Sequence, residues 1–333
     1  MKNKSFILLT ILMAFSISAI GKTDEVSTNE TEAASSPKNV EKPIGRGHPA
    51  PTHENLAYGD HERQVLDFWM ADSETPTPVV VFMHGGGWFN GDKSGYRGVR
   101  PFLDAGISVA AINYRFIKHA RAARVSPPVS WPMHDLKRAV QYLRYRAEEL
   151  NIDKSRFGAT GASAGACSAL WLGLHDDMAV VDSDDPVCRE STRLQFIAVD
   201  AAQTSLDPEQ MKSWIPNIVY GGHAFGFHSG GNYEARKAAF ERFLENRESV
   251  LHWINEYSPY AQASSDDPPV YLRYRNWPDV GKPFKDATHS ANFGVKLKER
   301  LDELGVPCDL VHSGTKDPEH DTTTSYLIHN LAK

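Results

Sequence analysis

Gly161-Ala162-Ser163-Ala164-Gly165 is the stretch on which the fold turns. It matches the pattern G-x-S-x-G. Arg156 to Thr160 before it reads as a strand, and Ala164 to Leu174 after it reads as a helix rich in small and apolar residues. A serine on a sharp strand-to-helix turn is held with its hydroxyl clear of neighbouring chain, at the positive end of the following helix. The flanking glycines suit a turn where backbones approach closely and a side chain would clash.

Working outward, short unbroken apolar runs recur. Val79 to Met83 and Ile107 to Ile112 suit parallel strands covered on both faces. Leu194 to Val199, Val270 to Tyr274 and Cys308 to His312 read as further strands. Leu136, Ala139, Val140, Leu143, Ala147 and Leu150 recur at the three-and-four spacing of one helix face. Phe293, Leu297, Leu301 and Leu304 line another, with Gly305 as its stop, and Thr322 to Leu331 forms a terminal helix. Strand and helix alternate, so the fold class is α/β, a mostly parallel sheet with helices on both faces. No internal repeat is visible. Residues 182–257 break the rhythm. Tyr233 to Tyr257 is helical, and a Gly-rich loop bearing His223, Phe225, Phe227 and His228 precedes it. This region reads as a cap-like insertion over one edge of the sheet.

The ends and the composition narrow the class. Lys2 and Lys4 precede an apolar run, Phe6 to Ile20, which is shorter than a membrane span and ends in small residues. Residues 1–21 are therefore expected to be a secretory signal peptide, with a secreted or periplasmic mature protein and no stable membrane span. Residues 22–50 are rich in Ser, Thr, Glu, Lys and Pro and read as a flexible leader. Residues 51–333 are expected to form one catalytic domain. Of 333 residues, 41% are hydrophobic and 23% charged, which suits a folded globular chain. The net charge of -6 and the lack of a basic patch argue against nucleic acid as a partner. Three cysteines, Cys167, Cys188 and Cys308, are too few for a disulfide scaffold, and the sequence does not choose a pair.

His84-Gly85-Gly86-Gly87-Trp88 follows the strand at 79–83. Three consecutive glycines let backbone N–H groups point at a ligand, as in the HGGG-type loops that supply oxyanion donors. Gly91-Asp92-Lys93, Ile112-Asn113-Tyr114-Arg115, Pro132 with Asp135, Asn151-Ile152-Asp153 and Gly161 to Gly165 then follow in order. Over roughly residues 55–333 the chain resembles the HGGG-bearing esterases of the α/β-hydrolase superfamily. These are the hormone-sensitive-lipase-like enzymes, and the chain is most similar to their bacterial feruloyl and acetylxylan esterase-like branch. The resemblance implies an α/β-hydrolase fold with a helical insertion between the sixth and seventh strands. It also implies a serine carboxylic-ester hydrolase with no metal and no organic cofactor. Its partner would be a small ester or an esterified carbohydrate, and the sequence leaves the oligomeric state open.

Site residues follow from the resemblance. Ser163 is the nucleophile. Gly86, Gly87 and Ala164 give the oxyanion N–H groups. His320, in Asp317-Pro318-Glu319-His320 after the last strand, is expected as the base, in preference to His312 and His329. Asp286 is expected as the orienting acid, with Asp279 its rival. Arg115 and Asp135 are expected to form a buried bracing ion pair. His223 and His228 are a weak metal pair without a third ligand. Trp88, Phe89, Phe225 and Phe227 suit either an acyl or aryl pocket or core packing. Amide hydrolysis by the same triad and a non-catalytic hydrolase-fold binding protein are the competing functions.

Overall fold

The computed structural model describes residues 48–228 and 231–333. The expected signal peptide and almost all of the expected leader lie outside the described residues. Eight strands form a single sheet: β1 His53–Ala57, β2 Val65–Trp69, β3 Thr77–Met83, β4 Ser108–Ile112, β5 Ile152–Ala162, β6 Phe196–Asp200, β7 Val270–Arg273 and β8 Cys308–Val311. Their spatial order is β1-β2-β4-β3-β5-β6-β7-β8. β2 pairs antiparallel with β1 and with β4, and every pairing from β4 to β8 is parallel. The mostly parallel α/β sheet is as expected. Neither β1 nor β2 was expected, because neither is an unbroken apolar run: β1 is largely exposed and Asp67 interrupts β2. Its Leu66, Asp67, Phe68 and Trp69 are all buried, and Asp67 is held by the Lys93 ammonium at 2.8 Å.

Ten α-helices are described: α1 Val99–Asp104, α2 Ile117–Ala122, α3 Ser130–Tyr145, α4 Ala164–Leu174, α5 Pro208–Trp214, α6 Tyr233–Glu245, α7 Leu251–Tyr257, α8 Pro259–Gln262, α9 Asn292–Leu304 and α10 Thr323–Leu331. Alternate residues of β3 divide between two apolar layers. Val79, Val81 and Met83 join the layer containing α3, α4 and α9, whereas Val80 joins the layer containing α1 and α10. That division is the period of two of a strand with both faces covered. α4 has no polar face, and all eleven of its residues are buried.

The added segment between β6 and β7 spans residues 201–269 and carries α5 to α8. It begins later than the expected 182, because β6 falls inside the expected range. Its Met211, Trp214, Phe240, Phe243 and Ile254 are buried in the same layer as α3 and α4. The Arg115–Asp135 pair forms as expected. Both carboxylate oxygens of Asp135 are engaged, by the Arg115 guanidinium and backbone N–H and by Gln64 Nε2, and Asp135 is 1% exposed. All three cysteines are free.

Candidate active site

Ser163 sits between β5 and α4 with φ +54° and ψ −125°, a strained left-handed conformation for a residue with a side chain. The turn needs a glycine at 165, where a Cβ would overlap the Met83 carbonyl oxygen. β3 thus runs directly beneath the turn and delivers His84 to Trp88 beside Ser163. The Ser163 N–H donates to the Asp200 carbonyl at the end of β6.

The glycine loop is fixed from below. Gly86 has φ +105°, and its carbonyl accepts the Phe89 and Asn90 N–H groups. The His84 ring stacks on Tyr114 at 4.2 Å, and the Tyr114 hydroxyl donates to the His84 carbonyl at 2.7 Å. Arg63 Nη2 lies 3.3 Å from His84 Nε2 and donates to the Gly91 carbonyl. Burial, reinforced by the Arg63 charge, pulls the His84 pKa down to about 4 against an opposing hydrogen bond at the Gly85 carbonyl. His84 is therefore a neutral brace. Trp88 is fully buried and donates through Nε1 to Ser168 Oγ at 3.0 Å, tying the loop to α4. Among the described residues, the N–H groups of Gly86, Gly87 and Ala164 have no hydrogen-bond partner. Ala164 opens α4, where N–H groups have no partner within the helix.

The nitrogen within reach of the serine belongs to His289. Its Nε2 lies 2.9 Å from Ser163 Oγ, and its Nδ1 lies 2.9 Å from Asp286 Oδ2. With a carboxylate at Nδ1, the proton sits there, and Nε2 is left to accept from the serine. Asp286 and His289 bracket one turn of 3-10 helix, Ala287–His289, between β7 and α9. Side-chain amides hold this loop. Asn276 donates to the His289 carbonyl and accepts from the Ala291 N–H, and Gln203 donates to the Thr288 carbonyl. Asn217 makes a two-way bond with the Phe284 backbone, and Asn292 does the same with Asp279. Asp286 is the more open partner, with its side chain 61% exposed against 34% for His289.

This geometry corrects the expectation for His320. Its carbonyl accepts from the Tyr271 hydroxyl at 2.6 Å, and its ring packs near Tyr271, Tyr326 and His329. Tyr271 and Tyr326 belong to the α10 layer, whereas α4, which directly follows Ser163, lies on the opposite face of the sheet. His320 is therefore anchored away from the serine. Glu319, His320 and His329 are the one group among the described residues with three metal-type donor atoms close together, within 4.8 Å of one another. Asp286 meets a histidine, though a different one from that expected, and Asp279 contacts no histidine through its side chain among the described residues. The usable signal was Asp286-Ala287-Thr288-His289 itself, an acid and a histidine three apart in a loop after a strand.

The BD-FAE family matches residues 66–275, about two thirds of the chain. The chain belongs to the BD-FAE family. The matched region holds the glycine loop and the serine turn and stops before Asp286 and His289. Among curated relatives, esterase LipC of Mycobacterium tuberculosis is 31% identical over 125 residues, which are 36% of this chain and 29% of that protein. The probable carboxylic ester hydrolase LipM of the same organism is 30% identical over 230 residues, 66% of this chain and 46% of LipM. The chain spans less than half the length of either relative. An acetyl ester-xyloside bifunctional hydrolase from Caldicellulosiruptor lactoaceticus superposes with a TM-score of 0.59 at 24% identity, covering 80% of this chain and 88% of the other. The fold is that of the α/β-hydrolase esterases.

Proposed function

We propose that this BD-FAE family member is a serine carboxylic-ester hydrolase whose triad is Ser163, His289 and Asp286. The observation that carries the reading is the unbroken relay from Ser163 Oγ through both ring nitrogens of His289 to Asp286, each link 2.9 Å. Ser163 attacks the ester carbonyl carbon while its proton passes to His289 Nε2. The tetrahedral oxyanion is held by the N–H groups of Gly86, Gly87 and Ala164. Removing one such donor typically costs roughly 2.7–4 kcal/mol of transition-state stabilisation. His289 then gives its proton to the leaving alkoxide, which departs as the alcohol. Water, deprotonated by the same nitrogen, attacks the acyl-serine, and Nε2 returns that proton to Ser163 Oγ as the acid leaves. Asp286 keeps the ring in the tautomer that this exchange needs.

The substrates proposed are short acyl or aryl esters, including acylated carbohydrate. The family and the named relatives support ester chemistry, and the xyloside-active structural neighbour supports the carbohydrate reading. Export is part of the proposal, supported by Lys2, Lys4 and the apolar run Phe6 to Ile20. Among the described residues, no helix is long and apolar enough to cross a membrane.

A fluorophosphonate probe, followed by a panel of acetyl, butyryl, octanoyl and feruloyl esters with matched amides, tests the reading. The wild type is expected to label at Ser163 and cleave esters, and Ser163→Ala to do neither above a small residual rate. Amide turnover matching ester turnover, or labelling at another serine, would overturn it.

A further inference from the structure

The wall beside the glycine loop carries three polar atoms that no described residue satisfies. Tyr220 Oη, His223 Nε2 and His228 Nε2 are each buried without a hydrogen-bond partner among the described residues. A buried polar atom left unpaired costs roughly 1–3 kcal/mol. Three in one place call for a water or a ligand.

They are neighbours. The His223 ring packs edge-on against Tyr220 at 4.8 Å and lies 5.7 Å from Trp88 and 5.0 Å from Phe89. His228 lies 6.0 Å from the other partner in this stack, Phe89. Trp88 and Phe89 directly follow Gly87, so the cluster abuts the glycine loop proposed to offer the oxyanion donors. Phe89 is 40% exposed, a large ring left open beside the serine loop. Trp88, by contrast, is core.

The chemistry of the cluster restricts what it takes. Burial pulls His223 down to about 4, with the His228 charge adding to the effect and the Gly87 carbonyl opposing it. His228 is lowered by burial and then by the Arg121 charge. Both rings are therefore neutral near pH 7, and a phenol is neutral there too. Neutral imidazole and phenol groups can each give or accept a hydrogen bond, as hydroxyl groups do. A carboxylate or phosphate would need a cation or several fixed donors. Arg121 is exposed and makes no hydrogen bond to either histidine among the described residues. An alkyl chain would leave all three atoms unpaired.

We propose that Tyr220, His223 and His228 form a subsite for uncharged hydroxyl groups of the ester, with Phe89 as the face on which the hydroxyl-bearing ring lies. The inference rests on the ester-hydrolase reading and adds to it the chemistry by which one ester is chosen over another. The hydroxyl groups can come from a sugar on the alcohol side or a phenol on the acyl side. Two matched substrate pairs separate these sources. One is a mono-acetylated methyl xyloside against cyclohexyl acetate. The other is methyl 4-hydroxycinnamate against methyl cinnamate.

The readout is the ratio of kcat/KM within each pair for the wild type, Tyr220→Phe and His223→Phe. Fluorophosphonate labelling of Ser163 confirms that each variant keeps the serine turn. In one pair the wild type is expected to favour the hydroxylated member by at least about tenfold, and each variant to lower that ratio roughly tenfold. A wild type that shows no preference in either pair overturns the subsite even if no variant folds. So do labelled variants whose ratios are unchanged. In both cases hydrolysis of the plain esters leaves the ester-hydrolase reading standing. A wild type that neither labels nor cleaves any ester overturns both.

Discussion

Replacing His289 with alanine separates the triad seen in the structure from the one expected after the last strand. His289 Nε2 is 2.9 Å from Ser163 Oγ, within proton-transfer distance. A positioned general base contributes about 10²–10⁴-fold, which is up to about 5 kcal/mol of barrier. Because the histidine also supplies the proton for the leaving group, the loss should fall at or above the top of that range. Asp286→Asn should cost less. A carboxylate about 4 Å from a unit charge interacts with it by about 1 kcal/mol in water and about 4 kcal/mol at a partly screened surface. With 61% of the Asp286 side chain exposed, the lower part of that interval applies, or roughly 10–100-fold in kcat. His320→Ala should leave turnover within about twofold. Initial rates on 4-nitrophenyl acetate, with KM measured for each variant, decide the matter. The losses should appear in kcat and leave KM little changed. A crippled His320→Ala beside a near-normal His289→Ala would refute the triad assignment. An Asp286→Asn loss approaching 10⁴-fold would refute the argument from exposure while leaving the triad intact.

Asp135→Ala strands the Arg115 guanidinium and Gln64 Nε2 without their carboxylate, and is expected to cost about 3 kcal/mol in denaturant unfolding. Stability should also fall on the acid side. His84 has a folded pKa of about 4 and ordinarily titrates near 6.5, so the unfolded chain takes up the proton first and folding is penalised as pH drops through that window. The loss is up to about 3 kcal/mol by pH 4 and absent above about pH 7, read as the pH dependence of the unfolding midpoint. Thiol reagents should find only Cys188 quickly in the native protein. Burial pushes the Cys308 thiol up to about 12 and raises Cys167 further, so both should react only on unfolding, as mass spectrometry of alkylated peptides would show. Turnover of 4-nitrophenyl acetate should survive a strong chelator, because the proposed base, nucleophile and oxyanion donors all come from the chain. Loss of activity that zinc restores would contradict this.

The parts legible in the sequence are those whose cause is local. The serine turn is written in Gly161 to Gly165, because the close approach of β3 to α4 forbids a side chain at 165. α4 is legible for the same reason, since a run of small and apolar residues suits a helix buried on all sides. β2 was not legible. Its buried Asp67 makes sense only with Lys93, 26 residues away, and nothing in Val65 to Trp69 announces that partner. The ion pair of Arg115 and Asp135 could be read because each lies in a segment with its own signature.

The histidine shows where such reading stops. A triad specifies three side chains in space and an order along the chain, and Ser163, Asp286 and His289 obey that order as well as Ser163, Asp286 and His320 do. What separates them is which face of the sheet receives the loop. Tyr271 at the centre of β7 and Tyr326 in α10 together hold His320 in the α10 layer. Gln203, Asn217 and Asn276, spread over more than seventy residues, meanwhile pin the loop that carries His289. Each of these anchors is one or two side-chain amide bonds to the backbone of another segment, and none leaves a periodic trace. Gln203 and Asn217 both lie in the 201–269 segment, which also supplies Tyr220, His223 and His228. One segment between β6 and β7 therefore braces the base from one side and walls the glycine loop from the other. Changes within it are expected to alter both turnover and choice of ester, and Asn217→Ala should lower kcat without touching the ratio within the matched pairs.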